Sequence, residues 1–270
     1  MSVFNVKNKV IDDYNGIAQQ ATETGVAAWR ENVCLPIYAP IEAEYRATEG
    51  YFEGANLGLG CGFPVKYADL KTGDSVLDLG CAAGIDSFIA AAAVGQTGRV
   101  QGLDLSPLLI EKAWQNAQLQ ELENVHFTVG DMENMPFDAK QFKAIISNGV
   151  FSLMTDKLRV FKEMYRVLKA NSCFCISDLL RNTDFSQTMM ADILELTGCF
   201  NGISLIQDYI FLMQKAGFKN VQIVATRLVE IPDLLLDKYF SEAEKMVFKA
   251  EKRGLYAVTF KGEKQVFNQL

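Results

Sequence analysis

The stretch SVLDLGCAAGIDSFIAAAAVG, residues 75–95, decides the fold. It begins with a short apolar run typical of a buried strand, passes through a turn with two glycines, and continues into an alanine-rich helix predicted to end at Gly95. The following segment GRVQGLDLS, residues 98–106, predicts a second strand. This order favours a parallel sheet, because a connection between parallel strands must be long enough to hold a helix.

The same alternation continues toward the carboxyl end of the chain. A helix is predicted in SPLLIEKAWQNAQLQ, with Ser106 as its N-cap and Pro107 in its first turn. The further predicted elements are strands at 124–131, 142–153 and 173–180, a helix at 156–170, a helix and a strand within 205–231, and a last strand at 255–264. The pattern therefore predicts an α/β fold with a mostly parallel sheet that helices cover on both faces.

Two regions lie outside this alternation. Residues 1–70 form a helix-rich amino-terminal segment that contains the glycine-rich stretch EGANLGLGCGFP, residues 53–64. Residues 181–204 interrupt the sheet after its fifth strand. We expect residues 71–270 to form the main domain, and we expect both regions to fold over the carboxyl edge of its sheet as a helical cap.

Composition excludes several classes of function. A net charge of −7 without a basic stripe argues against nucleic-acid partners. No apolar run approaches the roughly 20 residues that span a bilayer, and the first residues lack a targeting pattern, so a cytoplasmic protein without membrane contact is expected. The six cysteines are expected to be free thiols, and without a CxxC pair a structural zinc site is not expected. The single histidine, His126, is more typical of a half-exposed strand residue than of a catalytic base.

The turn after the first strand is the candidate ligand site, because ligands bind at the carboxyl ends of parallel strands. Gly80 and Gly84 flank the turn, and Asp104 ends the second strand, where an acidic side chain can bond both hydroxyls of a ribose. The glycine spacing fits a pyrophosphate site poorly, and Asp78 and Asp86 would repel a diphosphate but suit a cation. S-adenosylmethionine, which carries a sulfonium and an ammonium and no phosphate, matches these features.

The set VLDLGCAAG, GLDLS, VGDMENMPF and SNGVFSLMTDKLRVFKEMYRVL closely resembles the class I S-adenosylmethionine-dependent methyltransferases over roughly residues 70–180. The resemblance implies a Rossmann-like, doubly wound sheet of seven strands. It implies that the two turn glycines lie against the methionine part, that Asp104 binds the ribose, and that Leu105 flanks the adenine. It also implies that Asp131 and Met132 lie at the adenine and that Asn148 lies near the methionine end. The full set of cofactor-binding residues expected is Asp78, Gly80, Gly84, Asp104, Leu105, Asp131, Met132 and Asn148. One departure is Ala82, where the family has a glycine.

The stretch YFEGANLGLGCGFP, residues 51–64, together with VLDLG and ISNGVFSLMTDKLRVFKEMYRVL, is similar to the arsenite methyltransferases. In that family, cysteines from the glycine loop, from the end of the fourth strand and from the insertion after the fifth strand converge over the methyl group. Cys61 matches the first position and Cys199 the third, while Gly149 stands at the second. Cys61 and Cys199 are therefore the expected catalytic and arsenic-binding residues, with a small thiol such as glutathione completing three ligands. Cys34 is a candidate for a further family cysteine.

Soft-ligand chemistry agrees with this assignment, because trivalent arsenic is held by thiolates and its methylation needs no proton to be removed. Gly149 leaves a second interpretation open: a methyltransferase of a small organic carbon, oxygen or nitrogen nucleophile. Its cap would be lined by Tyr51, Phe63, Phe151 and Phe200. A cofactor-binding protein that has lost catalysis is a third interpretation, and a flexible glycine loop whose cysteine is incidental stays open as well. Cys173 and Cys175 are expected in the core, and Cys81 is expected to act through its backbone.

Overall fold

The computed structural model describes residues 3–26, 39–199 and 202–265. There, seven strands form one sheet of order β3-β2-β1-β4-β5-β7-β6. The strands are β1 (Ser75–Leu79), β2 (Arg99–Asp104), β3 (Val125–Val129), β4 (Phe142–Asn148), β5 (Leu168–Arg181), β6 (Lys219–Val229) and β7 (Leu255–Lys264). Strands β1 to β5 run parallel, and β7 lies antiparallel between β5 and β6. The predicted seven-stranded, mostly parallel sheet is confirmed.

Helices connect these strands. They are α1 (Val3–Glu23), α2 (Ala39–Arg46), α3 (Pro64–Tyr67), α4 (Ile85–Val94), α5 (Pro107–Leu119), α6 (Lys157–Val167), α7 (Gln187–Thr197), α8 (Ile206–Lys215), α9 (Asp233–Leu236) and α10 (Glu242–Ala250). Ser106 caps α5 as predicted, since its side chain accepts a hydrogen bond from Leu109 N. Helix α6 ends at Val167, three residues earlier than predicted, because Leu168 is extended and already pairs with Phe142. Sequence reasoning missed α10, although Ser241 and Glu244 form a capping box at its start.

Apolar layers cover both faces of the sheet. Successive residues of a strand point to opposite faces, so Val76 joins the cluster that contains Phe88 of α4, and Leu77 joins the cluster that contains Phe161 of α6. The fold is therefore doubly wound. The strand order reverses between β1 and β4, and this switch point is where open α/β sheets bind their ligands.

The amino-terminal helix packs on this domain. Ala18 of α1 joins the same apolar cluster as Val76, and Asn15 Oδ1 accepts a hydrogen bond from Ser106 Oγ at 2.7 Å. Lys112 Nζ of α5 donates to Thr22 Oγ1 at 3.2 Å. Helix α1 is consequently fastened along α5, and its first half reaches the carboxyl edge of the sheet.

Candidate active site

The turn after β1 has a backbone that favours glycine. Gly80 and Gly84 have φ angles of +71° and +100°, and a Cβ atom on Gly80 would lie 2.4 Å from the side chain of Val150. Ala82, which stands where the family has a glycine, has a φ of +46°. This left-handed backbone costs an alanine about 1 kcal/mol. These conformations draw the turn back over the end of β2, where Gly80 N donates to Leu103 O at 2.7 Å.

Asp104 lies against this turn. Its Oδ2 accepts a hydrogen bond from Ala82 N at 3.0 Å, and its Oδ1 accepts one from Ser106 N at 2.9 Å. Burial raises the pKa of Asp104, and the backbone hydrogen bonds oppose that rise. Each carboxylate oxygen keeps a second lone pair, so the side chain can still accept from the two hydroxyls of a ribose.

A narrow cavity of about 50 Å³, which we name the cofactor cavity, opens beside Asp104. Its walls are Val10, Tyr14, Leu59, Gly80, Ala82, Asp104, Leu105, Met132, Asn148, Gly149, Val150, Leu153 and Met154. Helix α1 narrows it through Val10 and Tyr14, so a nucleoside-sized ligand requires α1 to shift. Of the cofactor residues expected from the sequence, Gly80, Asp104, Leu105, Met132 and Asn148 meet in this cavity.

Three expected cofactor residues lie behind or beside these walls. Gly84 begins α4, and Asp78 is buried with its Oδ2 accepting from Ser87 Oγ at 2.6 Å. Asp131 is engaged by α1, since Lys7 Nζ donates to its Oδ2 at 2.5 Å and to Glu133 Oε2 at 2.7 Å. A hydrogen bond from Asp131 to an adenine amino group stays a prediction, and it would compete with Lys7.

Two buried carboxylates flank the turn. Burial and the neighbouring Asp86 raise the pKa of Asp78 well above its usual range. Burial also raises the pKa of Asp86, to about 6, although hydrogen bonds from Tyr45 and Asn148 lower it. A bound cation would favour the ionised form of both groups, whereas their negative charge would repel a diphosphate.

The described residues therefore fit S-adenosylmethionine. Apolar walls at Leu105, Met132 and Leu153 suit an adenine, and Asp104 suits a ribose. Asp86, whose pKa of about 6 leaves it mostly ionised at neutral pH, suits the cationic methionine part, and a bound cation would also favour ionisation of Asp78. Among the described wall residues there is no lysine or arginine of the kind that a phosphate-containing cofactor requires.

A second cavity, of about 170 Å³, lies next to the first, and we name it the thiol cavity. Cys61 and Cys199 both line it, although they are far apart in the chain, and both are nearly fully buried. Tyr14, Leu59, Gly149 and Leu153 line both cavities, so the two share a wall. The structure thus brings together the two cysteines singled out in the sequence, beside the cofactor cavity.

Burial sets the protonation of these thiols. It raises the pKa of Cys61 well above the usual value, and the nearby Asp178 adds to the effect. It raises the pKa of Cys199 as well, although a hydrogen bond from Ser152 opposes the change. Both cysteines are free, so they are thiols that must lose a proton when they bind a soft ligand.

Asp178 is the residue in this site that sequence reasoning missed. It follows the largely buried run CFCIS within β5, three residues before that strand ends, and lines the thiol cavity. Tyr209 OH donates to its Oδ2 at 3.0 Å, and burial raises its pKa to about 6. A carboxylate between apolar residues of a predicted strand was the available signal.

The remaining candidates have other surroundings. Phe63 stacks on Tyr45, with 4.2 Å between ring centroids, and Phe151 packs against Phe161 in the core, so neither lines the thiol cavity. Tyr51 OH donates to Glu53. Cys175 is buried as expected, and Cys173 is partly exposed. Cys34 and Phe200 lie outside the described residues.

Cys61 and Cys199 do not belong to a larger cluster of metal-binding side chains among the described residues. Within residues 3–26, 39–199 and 202–265, no three His, Cys, Asp or Glu side chains gather in a way that could hold a metal ion. Two thiols that bind an arsenic atom would therefore need a third ligand from beyond those described residues, such as a small thiol. None of the helices in those ranges is long and apolar enough to cross a membrane.

Comparison with known proteins agrees with this site. Residues 70–220 match the family model described as "Methyltransferase domain". The chain is 40% identical to an arsenite methyltransferase of Halobacterium salinarum over 171 residues, 63% of this chain and 44% of the relative. It is 36% identical to the chloroplastic 2-phytyl-1,4-beta-naphthoquinone methyltransferase of Arabidopsis thaliana over 135 residues, 47% of this chain and 52% of the relative. It thus spans about half the length of these two relatives.

A solved structure extends the comparison. The arsenic(III) S-adenosylmethionine methyltransferase of Chlamydomonas reinhardtii superposes with a TM-score of 0.63 at 25% identity, covering 85% of this chain and 74% of that one. The fold and its switch-point cavity are those of the class I S-adenosylmethionine-dependent methyltransferases. The chain belongs to the methyltransferase domain family.

Proposed function

We propose that this protein transfers a methyl group from S-adenosylmethionine to trivalent arsenic held by Cys61 and Cys199. The observation that carries the proposal is the shared wall between the cofactor cavity and a cavity lined by two buried thiols. The similarity to proteins named as arsenite methyltransferases supports it.

The chemistry asks two things of the chain. Cys61 and Cys199 lose their protons as they replace two hydroxyl ligands of arsenite, and those protons leave as part of water. They then hold arsenic with its lone pair toward the methyl carbon, at about 3 to 3.5 Å. S-adenosylmethionine supplies a methyl group on a sulfonium, and the electron pair of the broken carbon–sulfur bond stays on sulfur. A small thiol such as glutathione provides the third arsenic ligand.

The direct test supplies arsenite, glutathione and methyl-labelled S-adenosylmethionine to the purified chain. We expect methylated arsenic to form, and Cys61→Ser and Cys199→Ser each to lower its rate by at least about 100-fold, since misplacement of the acceptor alone costs this much. Cofactor affinity, measured by calorimetry with S-adenosylhomocysteine, should stay within about threefold. Cys173→Ser, which changes a cysteine outside both cavities, is the control. Turnover that survives both active-site variants would contradict the proposal.

A second candidate function is methylation of a small organic nucleophile. Asp178 favours it, because a carboxylate with a pKa of about 6 in the thiol cavity is suited to act as a general base. The two functions respond oppositely to Asp178→Asn. Arsenite methylation should be kept, because removing a negative charge favours the thiolates, whereas methylation of an organic acceptor that must lose a proton should fall by 100-fold or more.

The remaining expectations follow from the thiols. Reduced cysteines are needed for arsenic binding, which supports a reducing compartment such as the cytoplasm. The net charge of −7 supports small-molecule rather than nucleic-acid partners.

A further inference from the structure

Asn148 holds the loop that carries Cys61. Its Oδ1 accepts hydrogen bonds from Cys61 N at 2.9 Å and Gly62 N at 3.1 Å, and its Nδ2 donates to Gly62 O at 2.9 Å. One side chain at the end of β4 thus bonds both the N–H and the C=O groups of this loop. The expectation from the sequence was only a place near the methionine end of the cofactor.

Glycine makes this close approach possible. A Cβ atom on Gly60 would lie 2.5 Å from Asn148 Nδ2, and one on Gly62 would lie 2.4 Å from Ser177 Oγ. On the other side of the loop, Arg227 Nη2 donates to Cys61 O at 3.2 Å. The peptide groups before and after Cys61 are therefore both held, and the direction of its side chain depends on these bonds.

The same carboxamide also reaches the cofactor side. Asn148 Nδ2 lies 2.9 Å from Tyr45 OH and 3.1 Å from Asp86 Oδ2, and Tyr45 OH donates to Asp86 Oδ1 at 2.6 Å. An amide nitrogen has two hydrogens, yet three acceptors surround this one: Gly62 O, Tyr45 OH and Asp86 Oδ2. Asp86 Oδ2, Tyr45 OH and Gly62 O therefore compete for two hydrogens, and any bond to Asp86 is made at the expense of the other two.

We propose that Asn148 is a positioning residue that fixes the Cys61 thiol in the thiol cavity. Through Asp86, it also couples the exposure of this thiol to the binding of a ligand at the turn after β1, residues 80–84, which we name the cofactor turn. A ligand ammonium at the turn attracts the Asp86 carboxylate, leaves the amide to Gly62 O, and tightens the loop. The proposal rests on the proposed function only in giving Cys61 its role as an acceptor thiol. The hold on the loop involves no arsenic.

Alkylation of single cysteines by iodoacetamide, followed by mass spectrometry of the full-length protein, tests the coupling. Cys175 in the core reports global opening in the same molecules, because it is fully buried. In the wild type, saturating S-adenosylhomocysteine should slow alkylation of Cys61 relative to Cys175. Asn148→Ala should speed alkylation of Cys61 relative to Cys175 by about tenfold or more, since three hydrogen bonds to the loop are lost. At a concentration of S-adenosylhomocysteine that calorimetry shows to saturate the variant as well, it should also abolish the response to this ligand.

The matched control is Asn124→Ala. Asn124 is also buried, and its Nδ2 donates to Ala91 O and Gly95 O at the far end of α4, so its loss should leave the ratio between Cys61 and Cys175 unchanged. Should Asn148→Ala fail to fold, Asn148→Ser provides the same comparison. An unchanged ratio in the Asn148 variant, or an equal effect of S-adenosylhomocysteine on variant and wild type, would overturn the proposal. Because no arsenite is used, the result is separate from success or failure of arsenite methylation.

Discussion

Two glycine-rich loops meet at the carboxyl edge of this sheet, and the left-handed backbone of Gly80 and Gly84 in one is not what requires glycine at positions 60 and 62 of the other. In the cofactor turn, Gly80 and Gly84 adopt left-handed φ angles that side chains disfavour. In the thiol loop, residues 58–62, Gly60 and Gly62 are needed for space, because neighbouring side chains occupy the positions of their missing Cβ atoms. Glycine content alone therefore does not distinguish a ligand cradle from a loop that is pressed against a buried amide.

Alanine at one glycine of each loop gives the largest expected contrast. Gly80→Ala combines a φ of +71° with a Cβ 2.4 Å from Val150, so we expect a loss of roughly 2–4 kcal/mol in the free energy of unfolding and weaker cofactor binding. Gly60→Ala should cost roughly 1–3 kcal/mol, slow methyl transfer, and leave affinity for S-adenosylhomocysteine within about threefold. Urea unfolding and calorimetry measure both. Equal losses of cofactor affinity in the two variants would remove the distinction between the loops.

Asp104→Ala sharpens the assignment of the cofactor turn. We expect binding of S-adenosylmethionine to weaken by about 1.5–3 kcal/mol, roughly ten- to hundredfold, because hydrogen bonds to a charged group are lost. Isothermal calorimetry gives the affinity. Asp74→Ala is the control, since Asp74 lies before β1, at the opposite edge of the sheet. Unchanged affinity in Asp104→Ala would remove this residue from the site.

Asp178→Asn, in the thiol cavity, should change how the free energy of unfolding depends on pH. Burial raises the pKa of Asp178 to about 6, so between about pH 4 and 6 the folded state binds more protons than the unfolded state, and stability falls as pH rises through that range. The variant has no carboxyl group at this position, so it does not lose this stability as pH rises. Its stability relative to wild type should therefore be greater at pH 7.5 than at pH 4.5, by about 1–3 kcal/mol in urea unfolding.

Asp192→Asn should show the opposite sign. Hydrogen bonds from Lys238 and Tyr239 lower the pKa of Asp192, so its carboxylate stabilises the fold above its usual titration range. The variant should lose stability relative to wild type as pH rises. The same pH trend in both variants would argue that the profile does not come from the buried Asp178.

Gly149→Cys has the smallest expected effect on stability. A residue with a side chain must adopt a φ of +77° at this position, and its Cβ would lie 3.1 Å from Leu59 O. We expect this to cost about 1 kcal/mol. Because Gly149 lines both cavities, the added thiol should raise the affinity for arsenite, measured as half-saturation of methyl transfer. Gly149→Ser has the same backbone strain without a soft ligand, so equal behaviour of the two would exclude a third thiolate.

Much of the cofactor side could be predicted because its signals are local. The strand, turn and helix of residues 75–95 are adjacent in the chain, and Asp104 follows one crossover later. The thiol side depended on resemblance for Cys61 and Cys199, and Asp178 was missed because a carboxylate within a strand indicates no particular partner. Likewise, no local pattern in ISNGV showed that Asn148 bonds a loop 87 residues away.

The sequence by itself determined the order of strands and helices, the helix caps, and the backbone that lets the chain turn beneath a ligand. These depend on steric limits and hydrogen bonds between residues a few positions apart. Only the tertiary structure decided that Cys61, Cys199 and Asp178 line one cavity, that α1 covers the cofactor site, and that Asn148 in the cofactor cavity bonds the loop of Cys61. Those contacts join residues from distant segments. They form only once both faces of the sheet are buried, because folding then brings the loops at its carboxyl edge together.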